Sequence, residues 1–301
     1  MTVKQEAIPA PSLLPAYAVA AVAVLIWGAT PAATKVAVTG LDPMVAGILR
    51  TVLAAVVVVP AAMALRLPLP GSRTEWTLLA YSALGGFVGF TLLFSIGVNL
   101  TSAAHAALIN ASIPIFTGLF GAIAEKRVPG RLWMGGVAIS FAGVSVLIGF
   151  RAEADTGAGA TVLGDLFCMG ATLCAAFGYV SGSRLAGRIG TFSVTFWGVG
   201  LAGLVQLPIL VMLSHGLDWQ AVPHAAWSGV LYLAVGSTVI AYIAWYWALA
   251  RGGAVRLGPT QFAMPVISLT LAAWMFSETL TPVILGAALA IVGGIAITRR
   301  G

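Results

Sequence analysis

Asn110 and Gln261 each stand four residues before a proline, Pro114 and Pro265, and 151 positions separate both pairs. A proline has no N–H to bond the carbonyl at i−4. The backbone carbonyls of Asn110 and Gln261 are therefore released, each next to a side-chain amide. Carbonyl oxygens suit an ammonium group and amide N–H groups suit a carboxylate. Such atoms, set in apolar sequence, must be satisfied or face a cavity. The pattern therefore reads as a binding site built from two matched halves. The same amides could instead only join helices.

Other residues able to do chemistry are few. Trp27, Tyr81, Tyr179, Tyr232, Tyr242, Trp245 and Tyr246 lie within apolar stretches and could wall a cavity that accepts varied apolar side chains. Tyr242, Trp245 and Tyr246, at i, i+3 and i+4, share one helix face. That face is lipid-directed, helix-packed or cavity-lining, and periodicity leaves the three open. Trp76, Trp133, Trp219 and Trp227 read as interfacial rings. Arg50 is the deepest charge, about two turns into a predicted helix. It either attracts substrate carboxylates near an outer mouth or snorkels to the interface. Lys35 reads as a snorkelling residue. His105 opens a predicted helix and could titrate near neutral pH. No Asp or Glu falls in the middle of a predicted span. Cys168 and Cys174 are six apart and share no helix face, so neither a disulfide nor a metal site is expected.

The elements that must position these residues are long and apolar. The 301 residues are 60% hydrophobic and 8% charged, with mean hydropathy +1.02. A soluble domain carries about 25% charged residues. Helical spans of about 17–25 apolar residues are expected at Tyr17–Val38, Met44–Leu65, Trp76–Leu100, His105–Ile123 and Leu132–Phe150. A second set is expected at Val162–Ala186, Phe192–Leu213, Ala225–Ala250, Leu257–Phe276 and Pro282–Thr298. The second set repeats the first. Tyr81 matches Tyr232, Gly85 matches Gly236 and Phe94 matches Trp245, all at an offset of 151. Trp27-Gly28 matches Phe177-Gly178 at 150. Five spans per repeat is odd, so the second copy enters the membrane from the other side. The expected fold is all-α and polytopic, ten transmembrane helices as an inverted 5+5 repeat around a central cavity. Residues 1–150 and 151–301 form its halves, with the substrate site between them.

Charge orients the chain. With the N-terminus inside, twelve Lys and Arg fall on the inner side and only Lys35 and Arg151 outside, while Asp42, Glu153, Asp155, Asp165, Asp218 and Glu278 fall outside. This is the positive-inside pattern, with both termini cytoplasmic. The stretch from Leu13 to Val38 is too long for a cleaved signal and reads as a retained first span.

The sequence resembles the drug/metabolite transporter superfamily in its ten-span EamA-type branch. The resemblance rests on the run Ala106-Ala107-Leu108-Ile109-Asn110-Ala111-Ser112-Ile113-Pro114-Ile115-Phe116 and its echo Leu257-Gly258-Pro259-Thr260-Gln261-Phe262-Ala263-Met264-Pro265-Val266. It rests also on Glu125 or Glu278 after each run, followed by a Gly-rich last span, and on the Trp27-Gly28 turn. It implies a basket-like helical bundle and export of small metabolites across the inner membrane. Within that branch the chain is most similar to the aromatic and neutral amino-acid exporters.

The expected function is a secondary carrier exporting amino acids by alternating access, with Gly28-Ala29-Thr30-Pro31, Pro60, Pro114, Pro208 and Pro265 as points of bending. The expected partners are the bilayer and a small-molecule substrate, with no nucleic acid, no obligate protein partner and no cofactor. A multidrug or other metabolite exporter of the same fold is the alternative. Bound phosphates call for several basic groups at membrane depth, and only Arg50 is available. An embedded enzyme would need a polar catalytic cluster. No H-E-x-x-H, G-x-S-x-G, P-loop or dinucleotide fingerprint occurs in a suitable context. A channel would more often use several subunits around a pore.

Overall fold

Apolar sequence on every face of a helix suits a bilayer, where outer and inner surfaces are both greasy. A computed structural model describes residues 13–126, 130–149, 161–252, 260–261 and 263–298. Among these, helices α1 (Leu14–Gly28), α2 (Thr30–Val38), α3 (Pro43–Ala64) and α4 (Arg73–Ser82) come first. A π-helical segment (Ala83–Gly89), α5 (Phe90–Leu100), α6 (Ala103–Asn110), α7 (Ile113–Glu125) and α8 (Arg131–Gly149) complete the first half. The second half holds α9 (Val162–Ile189), α10 (Thr191–Ser214), α11 (His224–Leu231) and a second π segment (Tyr232–Ile240). It ends with α12 (Ala241–Gly252), α13 (Ala263–Phe276) and α14 (Pro282–Thr298). No strand occurs among the described residues.

Seven helical stretches are long and apolar enough to cross a membrane by themselves. They match the expected first four spans and the sixth to eighth. The other three expected spans correspond to the shorter apolar helices Arg131–Val146, Ala263–Phe276 and Pro282–Ile297. Length alone therefore supports seven of the ten, and the start of the expected ninth span at Leu257 lies outside the described residues.

Polar caps set the helix starts. Asp42 Oδ1 accepts from the N–H groups of Met44 and Val45 at 2.9 and 3.3 Å, ahead of Pro43 at the first helical position. Ser72, Ser102 and Thr161 cap α4, α6 and α9 through their hydroxyls. The proline breaks fall unequally. Pro31 and Pro114 follow true interruptions at Ala29 and at Ala111-Ser112. Pro60 and Pro208 do not break α3 or α10, which run through them.

The most extensive packing joins α8 with α14, α3 with α10, α5 with α9, and α1 with α12. Each of these pairs joins the two halves. Close approach depends on missing side chains. A Cβ on Gly85 would sit 2.7 Å from the carbonyl oxygen of Cys174, and one on Gly97 would sit 2.8 Å from the Cys168 nitrogen. Small residues thus let the helix carrying the first π segment lie against α9 backbone to backbone. By contrast, a Cβ on Gly286 meets nothing within 4 Å. We expect Gly85→Val to destabilise by about 1–3 kcal/mol or more, as overpacking does, and Gly286→Ala to be neutral or slightly stabilising. Melting of the detergent-solubilised protein reads both.

Candidate functional site

The two π segments set the centre of the molecule. Shifted by 151, Ala83–Gly89 maps onto 234–240, inside Tyr232–Ile240. A π turn widens the helix and leaves carbonyls without their usual partners, and side chains meet them here. The Phe87 carbonyl accepts from Thr91 Oγ1 at 2.7 Å, Gln206 Nε2 at 3.1 Å and Thr51 Oγ1 at 3.3 Å. The Leu233 carbonyl accepts from Thr238 Oγ1 at 2.8 Å, and the Ser237 carbonyl from Trp27 Nε1 at 3.0 Å. The break at Ala29 is met in the same way. The Ile26 carbonyl accepts from the Tyr232 hydroxyl at 2.8 Å and the Gly28 carbonyl from Ser268 at 2.6 Å. Sequence reasoning missed the π segments. The Gly85-Gly86 and Gly89 cluster and Gly236 were their only visible signal.

Between the π segments and the interrupted helices lies a cavity of about 1070 Å³, its open mouth included. Trp27, Tyr179, Tyr242, Phe87 and Phe90 supply aromatic wall, and Asn110, Gln261, Arg50 and Pro265 also line it. Tyr242 packs edge-on to Trp27 at 5.2 Å and its hydroxyl lies 3.4 Å from that of Tyr179.

The remaining sequence candidates lie elsewhere. Tyr81 is 47% exposed on the outside, against Phe177. Trp245 is buried behind Trp27 at 5.7 Å, and Tyr232 anchors the Ala29 break. The shared face of Tyr242 and Trp245 thus splits between cavity and packing. The side chains of Tyr246 and Pro114 lie outside what the structure describes. His105 does not line the cavity either.

Two polar groups at this wall are left unmatched. Asn110 Oδ1 is shielded from water and accepts no hydrogen bond. Arg50 is only 4% exposed, and its Nε and Nη1 have no partner, while Nη2 makes one long bond to Thr238 at 3.4 Å. Arg50 therefore does not snorkel. No acidic side chain lines the cavity among the described residues. A buried charge without a counter-charge costs several kcal/mol, in order of magnitude.

One end of the molecule carries a second polar cluster. Asp165, expected on the outer side, is fully buried. Its Oδ1 accepts from Thr101 at 2.6 Å and its Oδ2 is hydrogen-bonded to His105 Nδ1 at 3.0 Å. Glu278 accepts from the N–H groups of Ala103 and Ala104 at 2.8 and 2.9 Å, placing a carboxylate on the positive end of α6. Lys35 donates to the Val98 and Thr101 carbonyls at the C-terminal end of α5, at 3.0 and 2.7 Å. It too is anchored rather than snorkelling. Thr161 donates through both N–H and hydroxyl to the Leu100 carbonyl. The Asp165, Glu278 and Thr161 bonds all cross between halves. At the opposite end, among the described residues, the halves meet in one long ion pair, Arg188–Glu75 at 3.9 Å, and a 3.4 Å bond from Trp197 Nε1 to the Leu67 carbonyl. No group of three or more His, Cys, Asp or Glu is placed to hold a metal among the described residues.

A membrane-embedded helical bundle with interrupted helices around a partly polar cavity is the architecture of a small-molecule transporter. Family comparison agrees: the EamA-like transporter family matches residues 14–149 and 162–300, and the chain belongs to that family. The uncharacterized transporter YdeK of Bacillus subtilis is 27% identical over 93% of this chain and 95% of its own. A probable amino-acid metabolite efflux pump of Salmonella typhimurium is 27% identical over 92% of each chain. A probable terminal-alkyne amino-acid exporter of Streptantibioticus cattleyicolor is 25% identical over 92% of this chain and 91% of its own. A solved crystal structure with 21% identity aligns over 94% of this chain and 95% of its own with a TM-score of 0.63, a likeness of fold.

The Asp165 cluster generates a prediction. Asp165→Ala strips the acceptor from two buried donors, at about 1–3 kcal/mol each. In a Cys174→Ser background, we expect buried Cys168, one turn along α9, to react with an impermeant maleimide at least about tenfold faster in Asp165→Ala or Glu278→Ala, since about 1.4 kcal/mol shifts an opening equilibrium that much. An unchanged rate means the cluster does not hold this end shut.

Proposed function

We propose that this transporter is a secondary exporter of amino acids, aromatic and neutral, crossing the inner membrane by alternating access. In this reading ten spans form an inverted 5+5 repeat, with both termini cytoplasmic. The pairing of helices supports the repeat. Numbered as spans, the packing of 5 with 10 and 2 with 7 joins equivalents, while 3 with 6 and 1 with 8 exchange under the same twofold. The two π segments at one offset point the same way.

The observation that carries the amino-acid reading is the chemistry of the cavity wall. Aromatic faces offer room for varied side chains, and the same wall carries the Asn110 amide and the Arg50 guanidinium, whose unmatched polar atoms suit an ammonium group and a carboxylate. The names of two relatives, a metabolite efflux pump and an amino-acid exporter, lie in the same direction. The clustered Asp165, Glu278 and Lys35 bonds, at the end assigned to the outside by charge, fit a state sealed outward and open inward. Rocking of the halves would exchange these contacts for new ones at the inner end.

In proteoliposomes we expect labelled phenylalanine, methionine or threonine to move down its gradient. Movement of none of the amino acids would refute the reading. Replacing Asn110 and Gln261 together by Leu should slow uptake about tenfold or more while leaving expression intact, the loss of one or two ligand hydrogen bonds. Undiminished uptake would assign both amides to helix contacts alone.

A further inference from the structure

Arg50 is hard to explain as structural scaffolding. Asp42, the nearest acid on its own helix, is occupied in capping α3. The elements around the cavity present Thr51, Thr91, Ser237, Thr238 and the Tyr179–Tyr242 hydroxyl pair, all neutral. Its one hydrogen bond is long, and two of its three nitrogens have none. Structural cations in this same molecule look different: Lys35 is held by two short bonds to carbonyls. A guanidinium left this way beside a cavity is short of an anion.

The geometry points to Arg50 as the anchor for a carboxylate on the cargo, so that the cavity selects for an anionic group and against cargo that is only cationic. This deepens the amino-acid reading and rests on the cavity being the transport path. A guanidinium presents paired donors that match the two oxygens of a carboxylate. Asn110, also on the cavity wall, then serves the ammonium group, and Trp27, Phe87 and Tyr242 take the side chain. A cation with no acid in the lining among the described residues also repels cationic compounds, which sets this cavity apart from one built for lipophilic cations.

The test uses the purified full chain in detergent, its melting temperature, and four probes at equal concentration. These are phenylalanine, phenylalanine methyl ester, 3-phenylpropionate and inorganic phosphate. Ligands that bind only the folded state raise the melting temperature. We expect phenylalanine and 3-phenylpropionate to stabilise the wild type and the methyl ester to bind about tenfold or more weakly, for want of the charge-assisted pair. Arg50→Met should abolish the carboxylate response and melt, unliganded, at or above the wild-type temperature, because an uncompensated buried charge has gone. Arg50→Gln is the second variant, keeping polar bulk.

The anchor is overturned if the ester stabilises as well as phenylalanine, or if phosphate outdoes both carboxylates. It is overturned too if neither carboxylate acts, or if both variants fail to fold, which would make Arg50 structural. Phenylalanine acting equally on wild type and Arg50→Met removes the anchor but leaves the amino-acid reading intact. Stabilisation by 3-phenylpropionate without phenylalanine keeps the anchor and removes the amino-acid reading.

Discussion

A bilayer offers no water to a carbonyl that has lost its helical partner. This molecule interrupts its helices at Ala29, at Ala111-Ser112 and in two π segments, and the rest of the structure follows from where the freed oxygens find donors. Several find them in the other half. Tyr232 and Ser268 reach the first break, Gln206 reaches the first π segment, and Trp27 reaches the second. The interruptions that give the cavity its polar atoms are thus also what ties the halves together.

That sharing separates satisfied from unsatisfied groups. Most polar atoms near the centre are paired, as buried groups in low dielectric must be. Arg50 and the Asn110 oxygen stand out because their surroundings are otherwise complete. An unmet donor residue and an unmet acceptor residue thus line one aromatic cavity. Gln206 Oε1 is a fourth unmet atom, but it belongs to a side chain bonded to the first π segment and does not line the cavity.

The two ends of the bundle differ in the strength of their contacts. Around Thr101 and Asp165 the bonds are short, buried and partly charged, with a carboxylate on a helix N-terminus and an ammonium on a helix C-terminus. The Arg188–Glu75 pair at the other end is long and half-exposed, a class of contact worth little.

Much of this was legible without coordinates. Hydropathy gave the membrane class, the fixed offset gave the paired sites, and the i−4 rule singled out Asn110 and Gln261, which do line one cavity. Those are local properties: period, spacing and the missing proline N–H act along the chain. Proline alone was a weaker guide, since α3 and α10 absorb Pro60 and Pro208 without a break. Which aromatic rings face the cavity, that Asp165 is buried with His105, and that Arg50 stands without a counter-charge were decided by the tertiary structure. Each depends on what a distant helix places opposite the residue, and a sequence records neighbours along the chain but not across it.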